Sequence, residues 1–356
     1  MAIFDEEQIL RYLQYVEKNE KTMTEEEVQK YKIILDQILQ NPELEAFLDK
    51  KFGELISNFI IDNPNILENA QKQFIRDENG FILLDEQGYT EREHNGPGIF
   101  AIKWIMVGGM PVLVKGMDPE NNPYTTLISE QIAREAGYDV ATYYPALMEG
   151  KQVIVTPSFL KIEDVDGDSK EEEIISGKKI AYENMDLAEV PELITKYFTK
   201  KGASQEEIAS LVEGYKSAML YNIFINARDG HNGNWGVVKG VNSYRFTPIF
   251  DLEGGLSENS LNIRPMHIGD SWDDGAMLEY LLQDERMKKY AKRLLNVDMD
   301  KVYSDIERTK RVKIPEELKV ANRRVIIDSK DKINIALDSL ARTGKIANSE
   351  DDTGLR

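Results

Sequence analysis

The sequence contains no cysteine and only three histidines among its 356 residues. The absence of cysteine excludes disulfides, thiolate nucleophiles and cysteine-based zinc sites. Three histidines argue against a metal site built from several histidine ligands. The apolar content of 41% and the charged content of 30% are typical of a globular protein. The length allows two or three packed units with a sizeable core.

The sequence also lacks long apolar runs and any excess of basic residues. No run of 18 or more apolar residues occurs, so no transmembrane helix is expected. The first residues, MAIFDEEQILRYLQ, do not form a basic-then-apolar signal, which predicts a cytoplasmic protein without membrane contact. A formal net charge of −19 argues against broad nucleic-acid binding. One basic cluster is expected to be a charged surface helix: Arg308, Lys310, Arg311 and Lys313.

The most informative stretch is residues 221–255, YNIFINARDGHNGNWGVVKGVNSYRFTPIFDLEGG. Its first residues close a helical pattern that begins near Ser204, where Glu207 completes a capping box. A polar loop follows, and two apolar segments at 235–238 and 244–250 then predict a pair of strands. A β-hairpin returns the chain to the end at which it began.

This hairpin is predicted to bring Asn234 and Asp251 together at its open end, with Asp229 one loop away. Two carboxylates and an amide oxygen suit a hard divalent cation such as Mg²⁺. Protein kinases have this order of residues: a catalytic Asp, an Asn five residues later, and a metal-binding Asp after a hairpin. The alternative is that the loop is ordinary turn material, because turns are rich in Asn, Asp and Gly.

The stretch resembles the catalytic segment of HipA-like serine/threonine kinases, which reads Asn-x-Asp-x-His-x-x-Asn and is followed by a Tyr/Phe-Asp turn. Four positions match it: Asp229, His231, Asn234 and the pair Phe250-Asp251. Asn226 departs from it by lying one residue too early. The resemblance covers about residues 95–345. It implies an α+β, bilobal protein-kinase-like fold with ATP and Mg²⁺ as cofactors and a protein Ser or Thr hydroxyl as acceptor.

The resemblance also assigns roles to these residues. Asp229 would orient the attacking hydroxyl and accept its proton. His231, between Asp229 and Asn234, would brace the loop through a hydrogen bond. Asn234 and Asp251 would hold the metal ion that bridges the phosphates.

A strand lysine before a helix is the next candidate. Lys115 ends the apolar strand 111–115, and a helix is predicted from about Tyr124 to Ala136. In kinases such a lysine contacts the nucleotide phosphates and is held by a glutamate of the next helix. Glu130 is the preferred partner, and Glu135 is the alternative. An ordinary strand-end lysine in solvent is the plainer interpretation.

Two further segments are candidates for nucleotide contacts. Gly96 and Gly98, just before the strand that begins near Phe100, could let backbone N–H groups approach phosphate oxygens. The strand 151–159 is expected to lead into a hinge at which the backbone near Thr156 and Phe159 holds adenine.

The chain divides in the sequence into segments of different character. The acidic insertion at 163–173 is expected to be a solvated loop. The predicted organisation is a helical N-terminal segment at 1–62, a small nucleotide-binding lobe at 75–160, a large catalytic lobe at 161–345 and a disordered tail at 346–356.

Two other functions compete with a protein kinase. A small-molecule kinase of the aminoglycoside-phosphotransferase type has Asp-x-His-x-Gly-Asn, but also a His two residues before the Asp, where this chain has Ala227. A nucleotide-binding pseudokinase would not need Lys115, Asp229, Asn234 and Asp251 together. HipA toxins begin with a small β-rich subdomain that the predicted helical N-terminus does not match, so an antitoxin-like partner stays uncertain in this comparison.

Overall fold

The chain forms two compact units, which we describe separately. The computed structural model describes residues 76–87, 90–91, 102–107, 110–116, 123–160, 162–165, 168–181, 186–227, 232–252, 254–256, 267–268, 271 and 273–351. The first unit contains the described residues up to Gly116 together with Ala146–Ile162, and the second contains Met117–Pro145 and Glu163–Arg356. The segment Met117–Pro145, which the sequence placed in the small lobe, belongs to the second unit. The predicted helical segment 1–62 lies outside the described residues.

The first unit is built on a six-stranded sheet. Its strands are β1 (Ile82–Leu83), β2 (Thr90–Glu91), β3 (Ile102–Val107), β4 (Met110–Gly116), β5 (Tyr144–Met148) and β6 (Lys151–Pro157). Their order in the sheet is β1-β5-β6-β4-β3-β2. A one-turn helix, α1 (Leu84–Gln87), follows β1.

The centre of this sheet is antiparallel, since β4 pairs with β3 on one side and with β6 on the other. β5 and β6 are joined by Glu149 and Gly150, which both have positive φ angles, 52° and 70°. Two consecutive positive φ angles are typical of the tight turns that match the twist of a hairpin. The strands that the sequence predicts from near Phe100 and at 111–115 are confirmed as β3 and β4.

The second unit is mainly helical. Its helices are α2 (Pro123–Glu135), α3 (Val190–Lys200), α4 (Gln205–Phe224), α5 (Asp274–Leu281), α6 (Glu285–Leu295), α7 (Met299–Thr309) and α8 (Glu316–Asp351). Helix α4 lies against α3 and α6, α2 lies against α7, and α8 lies against α5. The predicted capping box is present at the start of α4: the Ser204 hydroxyl accepts from the Glu207 backbone, and the Glu207 carboxylate accepts from the Ser204 backbone. None of the described helices is long and apolar enough to span a bilayer.

Strands in the second unit replace part of the predicted acidic loop. β7 (Ile162–Val165) and β8 (Asp168–Glu171) form a two-stranded sheet, and β9 (Glu173–Ser176) joins a three-stranded sheet with β10 (Gly236–Lys239) and β11 (Tyr244–Phe246). The prediction of a solvated loop at 163–173 is wrong. Backbone pairing is indifferent to side-chain charge when side chains can face solvent, so an acidic segment can form strands.

Two helix boundaries also differ from the sequence prediction. The sequence pattern predicts one helix near 276 to 294. The structure has two helices there, α5 and α6, because the Asp284 side chain accepts from the Arg286 backbone and starts a new helix. Helix α8 continues through residue 351, into the tail predicted to be disordered. Extending an existing helix avoids the nucleation cost that an isolated tail would meet.

Candidate active site

The predicted hairpin is present and sets the geometry of the candidate site. Lys239 pairs with Tyr244 next to the turn, and Val237 pairs with Phe246 further along. The last backbone bond towards the open end runs from the Thr247 N–H to the Gly236 carbonyl oxygen, at 3.1 Å. Residues just before Gly236 and just after Thr247 therefore leave the hairpin at the same end.

The second strand is shorter than predicted, because it ends at Phe246 rather than at Phe250. The Thr247 hydroxyl lies 3.2 Å from the Gly236 nitrogen, where the next ladder bond would form. Pro248 has no N–H to donate. The chain then pairs elsewhere: Ile249 bridges Val140 in a parallel sense.

Asp251 lies two residues beyond that bridge and has an unusual backbone. Its φ angle is +64°, in the left-handed region that few residues other than glycine adopt. Its backbone N–H donates to the Tyr143 hydroxyl at 2.9 Å. The turn after it is tied to the end of α4, since the Leu256 N–H donates to the Ile225 carbonyl oxygen at 2.6 Å.

The polar loop lies between α4 and the hairpin. Helix α4 ends at Phe224, and the Ala227 N–H still donates to the Asn222 carbonyl oxygen at 2.8 Å. The chain is described again from Asn232, whose side-chain oxygen accepts from the Trp235 indole N–H at 3.0 Å. The predicted catalytic residues Asp229 and His231 lie outside the described residues, so their roles stay predictions.

Two side chains that flank the hairpin in the chain fit a magnesium ion. Asn234 and Asp251, both half-buried, offer an amide oxygen and a carboxylate. Mg²⁺ keeps several waters and is usually bound by one or two carboxylates together with substrate phosphates. Among the described residues no group of three His, Cys, Asp or Glu side chains could enclose a metal ion. An amide oxygen and a carboxylate suit a metal ion whose remaining ligands are waters and phosphate oxygens.

In the first unit, the sheet brings two predicted nucleotide contacts onto one face. Lys115 pairs with Ile154, and Leu113 pairs with Thr156. Paired residues of antiparallel strands point to the same side, and so do residues two apart in one strand. Lys115 and Thr156 therefore share a face, and both are half-buried.

The other predicted nucleotide contacts are less closely defined. Phe159 is half-buried and follows β6, shortly before the first unit ends at Ile162. Gly96 and Gly98 lie outside the described residues.

Glu130, predicted to hold Lys115, occupies a buried ionic cluster in the second unit. Its carboxylate is 0% exposed and accepts from Lys310 Nζ at 3.1 Å and from Arg134 Nε at 2.9 Å. It also accepts from the Tyr143 backbone N–H at 3.1 Å. The alternative, Glu135, binds Lys301 at 2.6 Å. A Lys115–Glu130 contact would join the two units, and it stays a prediction.

The basic cluster expected on the surface is partly buried. Lys310 is 7% exposed, follows the last residue of α7, and lies 4.3 Å from the centre of the Tyr144 ring. The surface prediction is wrong for this residue, because its stem is enclosed by protein while its ammonium is neutralised by Glu130. Arg308, by contrast, makes an exposed pair with Asp305.

Buried tyrosines around α4 and α2 remain protonated. Burial raises the pKa of Tyr221 well above its usual value, and its hydroxyl donates to the Ser129 carbonyl oxygen. Burial also raises the pKa of Tyr138, whose hydroxyl has no hydrogen-bond partner among the described residues. These rings pack at 5.1 Å between centres.

The arrangement of elements is similar to that of a known kinase. A crystal structure of the Helicobacter pylori proinflammatory kinase CtkA has a TM-score of 0.53 and 16% identity over 72% of this chain and 97% of its own. Shewanella oneidensis HipA, in a complex with HipB and operator DNA, has a TM-score of 0.47 and 12% identity over 70% of this chain and 64% of its own.

The likeness to CtkA confirms the expected kinase-like α+β fold. No protein-family model matches the sequence, and no curated protein matches it.

Sequence reasoning missed Tyr143 and the partners of Glu130. Tyr143 stands 108 positions before Asp251 in the chain, and no periodic pattern or motif connects them. The missed strand β9 also borders the hairpin, where Val237 pairs with Ile175. Nothing in an acidic segment marks it as the partner of an apolar strand.

Proposed function

We propose that the chain is an ATP- and Mg²⁺-dependent kinase that transfers the γ-phosphate to a Ser or Thr hydroxyl of a protein. The observation that carries the proposal is the hairpin β10–β11 in a kinase-like fold, with Asn234 just before its first strand and Asp251 shortly after its second. This is the position of the two metal-binding residues in protein kinases.

Each residue has a definite task in this proposal. Asp229 orients the acceptor hydroxyl and takes its proton as the oxygen bonds to the γ-phosphorus. The bond from that phosphorus to the bridging oxygen of ADP then breaks. Asn234 and Asp251 would hold the Mg²⁺, which neutralises charge on the phosphates. His231 would steady the loop between Asp229 and Asn234.

The first unit would supply the nucleotide contacts. Lys115 would contact the phosphates from its half-buried place on β4, and the backbone near Thr156 and Phe159 would hold adenine. Gly96 and Gly98 would approach the phosphates. A catalytic mechanism of this kind depends on positioning and charge, so the loss of one metal ligand should be severe.

The test is incubation of the full chain with γ-labelled ATP and Mg²⁺, with Asp251→Asn beside the wild type. Asparagine tolerates a positive φ angle, so this variant should keep the backbone while it loses the charge. We expect label transfer to fall about 100-fold or more, with an unchanged melting temperature. Asp331→Asn, an exposed change on α8, is the matched control and should transfer label as the wild type does.

The destination of the label separates the candidate functions. Label in the chain itself or in added proteins supports the proposal. Label confined to small molecules supports the phosphotransferase alternative, and nucleotide binding without transfer supports a pseudokinase. Wild-type transfer that is unchanged in Asp251→Asn would exclude Asp251 as a metal ligand.

A protein substrate is the partner that this proposal requires. The HipA structure contains HipB and operator DNA. An equivalent antitoxin-like partner for this chain would have to be sought separately, by purification of the full chain from its source and identification of proteins that remain bound.

A further inference from the structure

Asp251 is held in a conformation that its own backbone disfavours. A φ angle of +64° costs a non-glycine residue free energy, and such angles persist when surrounding contacts enforce them. Aspartate tolerates this region better than most residues, but it still needs a contact that selects it. In the described part of the chain, the Tyr143 hydroxyl provides one, because it accepts from the Asp251 backbone N–H at 2.9 Å.

The segment that carries Tyr143 runs beside the segment that carries Asp251. The Ile249 N–H donates to the Asp139 carbonyl oxygen and the Ala141 N–H donates to the Ile249 carbonyl oxygen, both at 2.9 Å. These two bonds fix the register in which the two segments pair. This backbone pairing therefore fixes the position of Tyr143 relative to Asp251.

Tyr143 is itself anchored from the other side. Its backbone N–H donates to Glu130 Oε2 at 3.1 Å, while Glu130 Oε1 accepts from Lys310 and Arg134. A carboxylate that is 0% exposed is costly unless it is fully paired, and here three donors satisfy it. Glu130 thus connects the buried ionic cluster to the Tyr143 backbone.

We propose that Tyr143 is a positioning residue that fixes the Asp251 carboxylate for the metal–nucleotide complex, with buried Glu130 as its anchor. This inference rests on the proposed kinase function. Tyr143 does not touch the reacting atoms in this proposal. It acts by holding the left-handed turn. Asp251 is then already ordered in the folded protein, so Mg²⁺ binding does not have to order it.

The experiment compares Tyr143→Phe with the wild type in the full chain. The variant keeps the ring and removes the hydrogen-bond acceptor. We measure binding of a non-hydrolysable ATP analogue as Mg²⁺ is titrated, transfer of label as Mg²⁺ is titrated, and hydrogen–deuterium exchange of the Asp251 amide. Tyr138→Phe is the matched control, since it removes the hydroxyl of another buried tyrosine, one that has no hydrogen-bond partner among the described residues.

We expect the half-saturating Mg²⁺ concentration to rise about tenfold in Tyr143→Phe, the order of effect expected for one lost hydrogen bond. Transfer should approach the wild-type rate at saturating Mg²⁺, and the Asp251 amide should exchange about tenfold faster. Tyr138→Phe should match the wild type in all three measurements. A merely structural role would lower the melting temperature and the maximal rate and leave the half-saturating concentration unchanged.

Two failures are distinguishable. A wild type that neither binds the nucleotide analogue with Mg²⁺ nor transfers label overturns the proposed function and this inference with it. A wild type that does both, beside a Tyr143→Phe half-saturating concentration within twofold of it, overturns only the role of Tyr143. Unchanged exchange of the Asp251 amide would overturn that role on its own.

Discussion

The Gly177 backbone N–H donates to the Trp235 carbonyl oxygen at 2.9 Å, and a Cβ atom at position 177 would lie 2.5 Å from the Trp235 ring. The same atom would lie 2.5 Å from the Asn232 carbonyl oxygen. Real Cβ atoms do not approach other atoms so closely. Gly177 is therefore required by close approach, and it lets the chain after β9 lie directly against the residues that lead into β10. Those residues include Asn234.

Gly177→Ala should disturb the candidate metal site through this contact. The added methyl group must push away either the Trp235 ring or the Asn232 backbone, both of which flank Asn234. Overpacking of this kind costs about 1–3 kcal/mol of unfolding free energy. We expect that loss in urea unfolding, together with a rise in the half-saturating Mg²⁺ concentration for nucleotide binding.

The matched control for this prediction is Gly202→Ala. Gly202 has a φ angle of +82° and no atom within 4 Å of an added Cβ, so the change strains the backbone without a clash. We expect it to cost about 1 kcal/mol of unfolding free energy. Its half-saturating Mg²⁺ concentration should equal that of the wild type. If both variants changed the Mg²⁺ dependence equally, general destabilisation would explain the effect and the Gly177 contact would not.

Breaking the buried pair of Glu130 and Lys310 should cost much stability, and removing the second charge as well should restore part of it. Lys310→Met leaves the 0% exposed Glu130 carboxylate with one cationic neighbour fewer. Removal of one partner of a buried pair costs about 3–5 kcal/mol of unfolding free energy. The double variant Glu130→Gln/Lys310→Met should recover part of that loss, because the uncompensated charge is gone.

The measurement is a double-mutant cycle by denaturant unfolding. The control cycle uses Lys288 and Glu285, an exposed pair on α6, for which we expect a coupling of less than about 1 kcal/mol. A coupling between Glu130 and Lys310 as small as that of the exposed pair would show that the buried contact contributes little. It would also remove the anchor that we assign to Tyr143.

Lys310 shows why part of the site could not be predicted from the sequence. It stands among three other basic residues, a pattern that indicates a solvated surface. Its partner Glu130 is 180 positions away, so the neutralising charge is invisible locally. The hydrogen bond from Asp251 to Tyr143 could not be predicted for the same reason, because the two residues are far apart in the sequence. Contacts between distant segments are decided by packing, which local patterns do not record.

The hairpin and its approach helix could be predicted, because their signals are local. Ser204 and Glu207 are three residues apart, and the apolar run that became β10 lies next to its turn within one short stretch. The predicted strand was too long only where Thr247 and Pro248 change the backbone bonding. The strand at 173–176 was missed because β-structure depends on the neighbouring strand more than on intrinsic preference.

Asp284 predicts a specific dependence of stability on acid. Burial works to raise its pKa, but hydrogen bonds from the Arg286 backbone and from Lys216, with the Lys216 charge, outweigh burial and lower the pKa below 3.8. A carboxyl whose pKa is lower in the folded state stabilises the fold at pH values above its unfolded-state pKa of 3.8. This stabilisation is lost as the pH falls through the folded-state pKa. Lys216 lies on α4, so the bond ties the approach helix to α6.

Asp284→Asn tests this assignment by unfolding at several pH values. Asparagine is as good an N-cap as aspartate, so the variant should lose only the charge interaction with Lys216, at most about 1 kcal/mol near neutral pH. The difference in unfolding free energy between Asp284→Asn and the wild type should shrink as pH falls from about 5 to below the pKa of the unfolded carboxyl. A difference that stayed constant across this range would assign the loss to packing and not to charge.

Removing the Lys115 ammonium group, which lies in the first unit, should weaken nucleotide binding. It is half-buried on β4 and shares a face with Thr156, so Lys115→Met should keep the packing of the stem while it removes the ammonium group. We expect the dissociation constant for the ATP analogue to rise about tenfold or more, since one charge-assisted contact of about 1.4 kcal/mol corresponds to that factor. Lys151→Met, an exposed change on β6 of the same sheet, is the matched control and should bind as the wild type does. Calorimetric titration measures both constants, and equal constants for the two variants would leave Lys115 as an ordinary strand-end lysine.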